Sequence, residues 1–233
     1  LMSQLTYFLP HLLALSCSSP FWHGENTGLK SYRLTIFDNL PRTGLPAEFQ
    51  SYAEYQRHIQ ILINAGVMED STKIWWDLRP SARYPTLETR IMDVCTRMDD
   101  AISLAALLVS TIRMLYRLRI KNQRWREYNP MLIRENRWRA MRYSFDEGLI
   151  DFGIGSIVPF EQLLDEFIEL TLEDAKSLGC ESEVAATKDI LIRGTSAHRQ
   201  LSTYQMSIDA GKNNEDALKD VVDMLISETA ADL

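Results

Sequence analysis

Residues 75–93, Trp-Trp-Asp-Leu-Arg-Pro-Ser-Ala-Arg-Tyr-Pro-Thr-Leu-Glu-Thr-Arg-Ile-Met-Asp, decide the fold class of this chain. Side chains alternate across a strand with period two, so Trp76 and Leu78 point one way while Asp77 and Arg79 point the other. In a second run Leu87, Thr89 and Ile91 alternate with Thr86, Glu88, Arg90 and Met92. One face is apolar in both runs, and the other carries Asp77, Arg79, Glu88 and Arg90. Pro80 and Pro85 bracket a short polar connection, which suits an antiparallel hairpin rather than a long crossover. Glu88 and Arg90 lie roughly 6–7 Å apart along such a strand. Both can then reach one bound polyanion, the carboxylate through a divalent cation and the guanidinium through phosphate oxygens. A solvated strand laced with ion pairs accounts for the same residues, because Glu-x-Arg is a very short motif.

The rest of the chain sets this hairpin among helices. An amphipathic helix opens the sequence and runs to about Ser16. Residues 18–46, rich in Ser, Gly and Pro with little periodicity, form a binding-loop candidate. Ser51 to Ala65 reads as a helix stopped by Gly66. Thr96 with Asp99 three residues on reads as a capping box for a helix carrying Ile102, Ala105, Ala106, Val109, Ile112 and Leu115 on one side. Its exit is basic, from Arg113 to Arg126, as a solvated helix C-terminus allows. Further helices are expected from Pro130 to Met141, Pro159 to Leu178, and near 183–192, 197–208 and 215–229. Gly153 and Gly155 lack the third glycine and the lysine of a phosphate loop and read as a turn. The expected fold class is α+β, an antiparallel sheet covered on one face by helices. Residues 74–93 form its active-site hairpin, residues 96–231 are mainly helical, and no linker divides residues 1–233.

Composition narrows the function classes. A chain of 233 residues with 45% hydrophobic content can bury a substantial core, and its net charge of −7 argues against general nucleic-acid binding. Cys17, Cys95 and Cys180 are odd in number and widely spaced, which points to a reducing, cytoplasmic setting. Pro10 and His11 break the apolar run from Leu9 to Leu15, and Ala101 to Val109 is short before Arg113, so no membrane span is expected. Scattered histidines, His11 and His198 among them, give no zinc-ligand spacing.

The run Arg79-Pro-Ser, then Thr86-Leu-Glu-Thr-Arg90 and Asp93, resembles the signature of the carboxylate-amine ligases, the type 2 glutamate-cysteine ligase family. More distantly it resembles the Arg-x-Pro and Glu-x-Arg element of glutamine synthetase. Leu13-Ala-Leu-Ser-Cys-Ser-Ser-Pro-Phe-Trp22, Gly28 to Asp38, and Pro41-Arg-Thr-Gly-Leu-Pro46 are similar to the same family. Downstream, Glu135-Asn-Arg-Trp-Arg-Ala-Met-Arg-Tyr143 and Gly194-Thr-Ser-Ala-His-Arg-Gln-Leu201 fit it as well. These separated matches fall in the right order.

The resemblance implies the later portion of a glutamine-synthetase-like catalytic domain, since the family's opening Gly-x-Glu-x-Glu strand and its His-x-His-Val strand are not in this sequence. It also implies ATP and Mg²⁺ (or Mn²⁺), with phosphoryl transfer to a carboxylate such as glutamate's side chain, and capture by an amine such as cysteine. Under it Glu88 is a metal ligand, Arg90 neutralises the transferring phosphoryl group, and Arg79 assists. Arg33 and Arg42, matching Ser-x-Arg and Arg-x-Gly, would bind the substrate carboxylate, and Arg139 and Arg142, on one helix face, nucleotide phosphate. The chain then reads as a C-terminal catalytic fragment whose partners are its own N-terminal portion and, through an unpaired sheet edge, further copies of itself as a homo-oligomer. A non-catalytic helical interaction or regulatory module retaining the scaffold is the competing reading, and a ligase for another acid or amine is a third.

Overall fold

A computed structural model describes residues 1–231 and has the expected α+β character. The chain opens with α1 (Met2–Leu5), a 3₁₀ turn (Thr6–Phe8) and α2 (Leu9–Ser16). Every residue of α2 is buried, His11 and Ser16 included, so the helix expected to be amphipathic has no solvent face along Leu9–Ser16. Around it pack α5 (Met98–Ile120), α6 (Pro130–Tyr143) and α9 (Thr187–Arg193), while α7 (Phe160–Leu178) and α8 (Glu181–Ala185) lie against α5. Phe8, Leu12, Leu107, Met114, Leu164 and Phe167 anchor this main core. A second, smaller core gathers Tyr55 and Ile59 of α4 (Tyr52–Asn64) with Met68 and Ile74.

The strands do not join into one sheet. They form four two-stranded pieces: β1 (Phe21–Trp22) with β2 (Glu25–Asn26), β3 (Thr43–Gly44) with β4 (Trp75–Trp76), β5 (Leu78–Pro80) with β6 (Leu87–Thr89), and β7 (Leu149–Asp151) with β8 (Ser156–Val158). The β3–β4 pair is parallel and the others antiparallel. The segment read as irregular, 18–46, thus holds β1, β2, α3 (Arg33–Asp38) and β3. Elements of two to six residues are too short to print a hydrophobic period.

Several local readings meet their physical cause here. Ser51 caps α4 by accepting from the Glu54 N–H, and Gly66 takes φ +71 just beyond its end. Between β7 and β8, Asp151 Oδ1 accepts from the N–H groups of Gly153 and Ile154, making the turn an Asx turn. Gly148 enters this hairpin at φ +63, where a Cβ would meet the Val158 carbonyl oxygen at 2.0 Å, so only glycine fits. The expected capping box at Thr96 does not form. Arg97 is the N-cap of α5 without a side-chain bond, and the Thr96 hydroxyl donates to Glu228 at 2.6 Å. The stretch 183–192 is divided at Ala186 into α8 and α9. Beyond them come α10 (Ser196–Asp209) and α11 (Asn214–Ala230).

Because α5 continues past Arg113 to Ile120, it is long and apolar enough by length and composition to cross a membrane. Its inner side is packed on α2, α7, α8 and α9, the pattern of a core helix.

Candidate active site

Backbone pairing sets the hairpin before any side chain acts. Trp75 N–H donates to the Arg42 carbonyl and Asp77 N–H to the Gly44 carbonyl, both at 2.8 Å, so β3 carries the first strand. Arg90 N–H donates to the Asp77 carbonyl at 2.7 Å, and β5 and β6 then pair in the register Leu78–Thr89, Arg79–Glu88, Pro80–Leu87. Leu78 and Ile91 are fully buried. Arg79 and Glu88 stand directly opposite each other, where oppositely charged cross-strand neighbours attract.

Glu88 sits between two guanidinium groups. Arg79 donates to it from Nε at 3.1 Å and Nη2 at 3.0 Å, and Arg90 Nη1 approaches its other oxygen at 2.5 Å. Partial burial alone would raise the Glu88 carboxyl, but hydrogen bonds from Arg90 and Arg79 outweigh it and hold the group below the ordinary carboxylate value. Arg79 is pinned from behind by the carbonyls of Thr72 at 2.7 Å and Ile74 at 2.5 Å. The cluster therefore presents two positioned guanidiniums around one ionised carboxylate, an arrangement that fits an oxyanion replacing or sharing Glu88.

Arg33 reaches the same strand from the side. Its Nε donates to Asp93 at 2.7 Å, and its Nη2 to the carbonyls of Arg90, Ile91 and Met92 at 2.8–2.9 Å. Asp93, buried, also accepts from Ser18 N–H, Ser19 Oγ and Ser31 Oγ. Arg42 adopts φ +61 and donates from Nε to the Lys73 carbonyl at 3.0 Å, beside the hairpin's first strand. Arg139 and Arg142 engage other partners: Arg139 the carbonyls of Glu147 and Gly148, Arg142 that of Gly28, with both guanidiniums over Tyr143. Neither contacts the hairpin cluster.

Asp77 departs from the expected charged face. It is buried against Arg137, whose Nε donates to it at 2.6 Å while Nη1 and Nη2 bind Asp38 at 2.8 and 2.9 Å. Burial works against the Arg137 charge, but Asp77 and Asp38 outweigh it and hold the guanidinium above its ordinary value. Burial also pushes Asp77 up, which Arg137 offsets in part. This bridge ties α3, the hairpin and α6 together, and the Asp77 carbonyl is what receives the Arg90 amide. Asp77, Arg137 and Asp38 were not legible as a unit, because their separations carry no period.

Two clefts matter. One of about 270 Å³ borders the hairpin and is lined by Arg42, Phe49, His58, Ile74 and Trp76. A larger one of about 540 Å³ lies elsewhere, among Tyr7, His11, Trp125, Tyr128, Asp151 and Glu166. Its walls include no residue of the Arg79–Glu88–Arg90 cluster, so size alone does not make it the site. Among the described residues no group of three or more His, Cys, Asp or Glu could hold a metal ion. Glu88 is one carboxylate already bonded to arginines, and the residues present do not by themselves build a Mg²⁺ site.

Fold and site together define an α+β protein with an arginine-flanked carboxylate hairpin suited to polyanion chemistry. A family profile for glutamate-cysteine ligase family 2 matches residues 1–223, and the chain belongs to that family. It is 59% identical over 233 residues to a Rhodospirillum rubrum protein named "Putative glutamate--cysteine ligase 2". Proteins of the same name from Ruegeria pomeroyi and Jannaschia sp. are 57% and 56% identical. All of this chain is covered in each case, but it spans only 60–61% of the length of these relatives.

Proposed function

We propose that this chain carries part of the catalytic centre of an ATP-dependent carboxylate-amine ligase of the glutamate-cysteine type. The observation that carries this reading is the cross-strand Arg79–Glu88 pair with Arg90 against the same carboxylate. In the proposed reaction, an oxygen of glutamate's side-chain carboxylate attacks the γ-phosphorus of ATP, ADP leaves, and an acyl phosphate forms. The amine of cysteine then attacks the acyl carbon, inorganic phosphate departs with the bonding pair, and the amine proton passes to a base. Arg90 would bear on the equatorial oxygens of the transferring phosphoryl group, and Arg79 would hold the anion in place. Arg33 and Arg42 would orient the acid substrate, and Arg139 and Arg142 are proposed for nucleotide phosphate.

Glu88 is proposed as the single Mg²⁺ or Mn²⁺ ligand that this chain contributes, with further carboxylates supplied from the remaining length that its relatives possess. Free Cys17, Cys95 and Cys180 support a reducing, cytoplasmic setting.

The test is made on a chain extended to the relatives' length. Glu88→Ala and Arg90→Ala should each lower glutamate- and cysteine-dependent ADP release by about a hundredfold or more, the consequence of losing about 3 kcal/mol of charge stabilisation. Arg90 is partly exposed, so Arg90→Ala should change the melting temperature little, whereas Glu88→Ala leaves the buried Arg79 without its carboxylate and should lower it. Near-normal turnover in both variants would remove the assignment.

A further inference from the structure

The larger cleft, of about 540 Å³, lies in the size range of small-molecule sites, roughly 300–1,000 Å³, and is built from four parts of the chain. Leu163, Glu166, Phe167 and Leu170 fall at i, i+3, i+4 and i+7 of α7, so this face of the helix sets a carboxylate among three apolar side chains. Tyr7, Phe8 and His11 come from the 3₁₀ turn and α2. Residues 124–128 add a third wall, fixed where Trp125 N–H donates to Gln4 Oε1 at 3.0 Å, and the β7–β8 turn adds Asp151. Much of the lining is aromatic: the Phe8 ring lies 4.7 Å from Phe167 and 5.5 Å from Trp125, and Tyr7 lies 5.0 Å from Tyr128.

Two buried polar atoms of these walls, His11 Nδ1 and Trp125 Nε1, have no hydrogen-bond partner among the described residues. Folded proteins rarely leave such atoms unsatisfied. Charge is unpaired here as well. Asp151 commits Oδ1 to the turn N–H groups of Gly153 and Ile154, which leaves its other oxygen free, and Glu166, Arg124 and Arg126 are exposed and form no ion pair among the described residues. Burial pushes the Tyr7 hydroxyl up, and Tyr128, Asp151 and Glu166 push it further, so both carboxylates bear on the same end of that ring. A bare cation in this cleft would be opposed by the arginines and a bare anion by the carboxylates. A molecule that carries both charges answers both.

We propose that this cleft binds a zwitterion with a flat apolar body, an aromatic α-amino acid being the simplest, its ring among Phe8, Trp125 and Phe167, its ammonium toward Asp151 and Glu166, and its carboxylate toward Arg124 and Arg126. A ring N–H would then meet the His11 imidazole. No residue of the hairpin cluster lines the cleft, so this binding is independent of the ligase reading. Titration calorimetry of the chain with L-tryptophan should give saturable binding below about 1 mM. Tryptamine, which lacks the carboxylate, and indole-3-propionate, which lacks the ammonium, should each bind about tenfold more weakly, the effect of losing one charge-assisted contact. Glu166→Gln should weaken L-tryptophan and tryptamine about tenfold without weakening indole-3-propionate. Arg124→Gln with Arg126→Gln should weaken L-tryptophan and indole-3-propionate without weakening tryptamine. Asp151→Asn, which keeps an Oδ1 for the turn, should act like Glu166→Gln, and Glu169→Gln, off the cleft on α7, should change nothing.

Absence of saturable L-tryptophan binding overturns the proposal. So does tryptamine or indole-3-propionate binding as tightly as L-tryptophan, which would make the cleft a site for one charge alone. Binding indifferent to the Glu166, Asp151 and arginine variants at unchanged melting temperature would put the ligand elsewhere and overturn it too. The same titration on a chain extended to the relatives' length should give the same affinity, and if binding is lost there, the added part fills the cleft and the proposal fails.

Discussion

At the scale of single residues, the most consequential group outside the hairpin is His11. It lies within the buried helix α2, 3% exposed, among the rings of Tyr7, Phe8, Phe160 and Phe167, and its Nδ1 has no hydrogen-bond partner among the described residues. Burial pushes its pKa down to about 4. The unfolded chain takes up a proton on this imidazole near the ordinary histidine value, about 6.5, while the folded chain does not until nearer 4. In that window the unfolded state binds more protons, so stability is fully present above it and falls as pH drops through it. Between pH 7 and pH 5 the loss from this one group should be about 2 kcal/mol. His11→Phe, which keeps a ring among rings, should flatten that part of the pH profile, as thermal or urea unfolding at the two pH values would record. Parallel profiles for the parent and the variant would show that His11 is not the titrating group.

At the scale of elements, one carboxylate joins α10 and α11, already packed on each other, to the residues that lead into α5. Glu228 of α11 accepts from Arg199 Nε at 2.5 Å and Nη2 at 3.0 Å, and from the Thr96 hydroxyl at 2.6 Å. Burial alone would raise Glu228, but the hydrogen bonds from Arg199 and Thr96 outweigh it and lower its pKa. A carboxyl lowered on folding stabilises above its unfolded value, and that contribution is lost as pH falls through the folded one. As pH falls below the ordinary carboxylate range, acid should therefore loosen α11, seen as lost amide-exchange protection in 214–230, and Glu228→Gln should give that lower protection already at neutral pH. Equal exchange in parent and variant would separate α11 from Glu228. The same residues show what sequence can carry. The hairpin was readable because Arg79 and Glu88 lie nine residues apart on paired strands with period two. Thr96 was misread because a hydroxyl before a helix fits a cap equally well, and its true acceptor lies 132 residues away. Arg33 gave no sign that its partners are backbone carbonyls 57–59 residues on, nor Asp77 that Arg137 would bury it from 60 residues away. Pairings of that reach leave no local spacing to read.

At the scale of the whole molecule, charge and ligand count argue in one direction. The chain carries a net charge of −7 and spans 60% of the length of its Rhodospirillum rubrum relative. The only carboxylate within its candidate cluster, Glu88, is already bonded to Arg79 and Arg90. A nucleoside triphosphate in a phosphoryl-transfer site is held by divalent cations, and each cation needs several oxygen ligands beyond the phosphates themselves. One carboxylate supplies too few. The chain purified as it stands should therefore release no ADP from ATP with glutamate and cysteine, and calorimetry should give no saturable Mg-ATP binding below about 1 mM, the upper end of ordinary substrate affinities. Adding the remaining part of a relative's chain should restore both, if it brings carboxylates to the face that Arg79 and Arg90 line. Phosphate or pyrophosphate without metal should still bind the chain weakly through those arginines, and Arg90→Ala should remove that binding. Sustained ADP release by the chain alone would place the missing carboxylates within this chain and overturn the assignment of Glu88 as its single metal ligand.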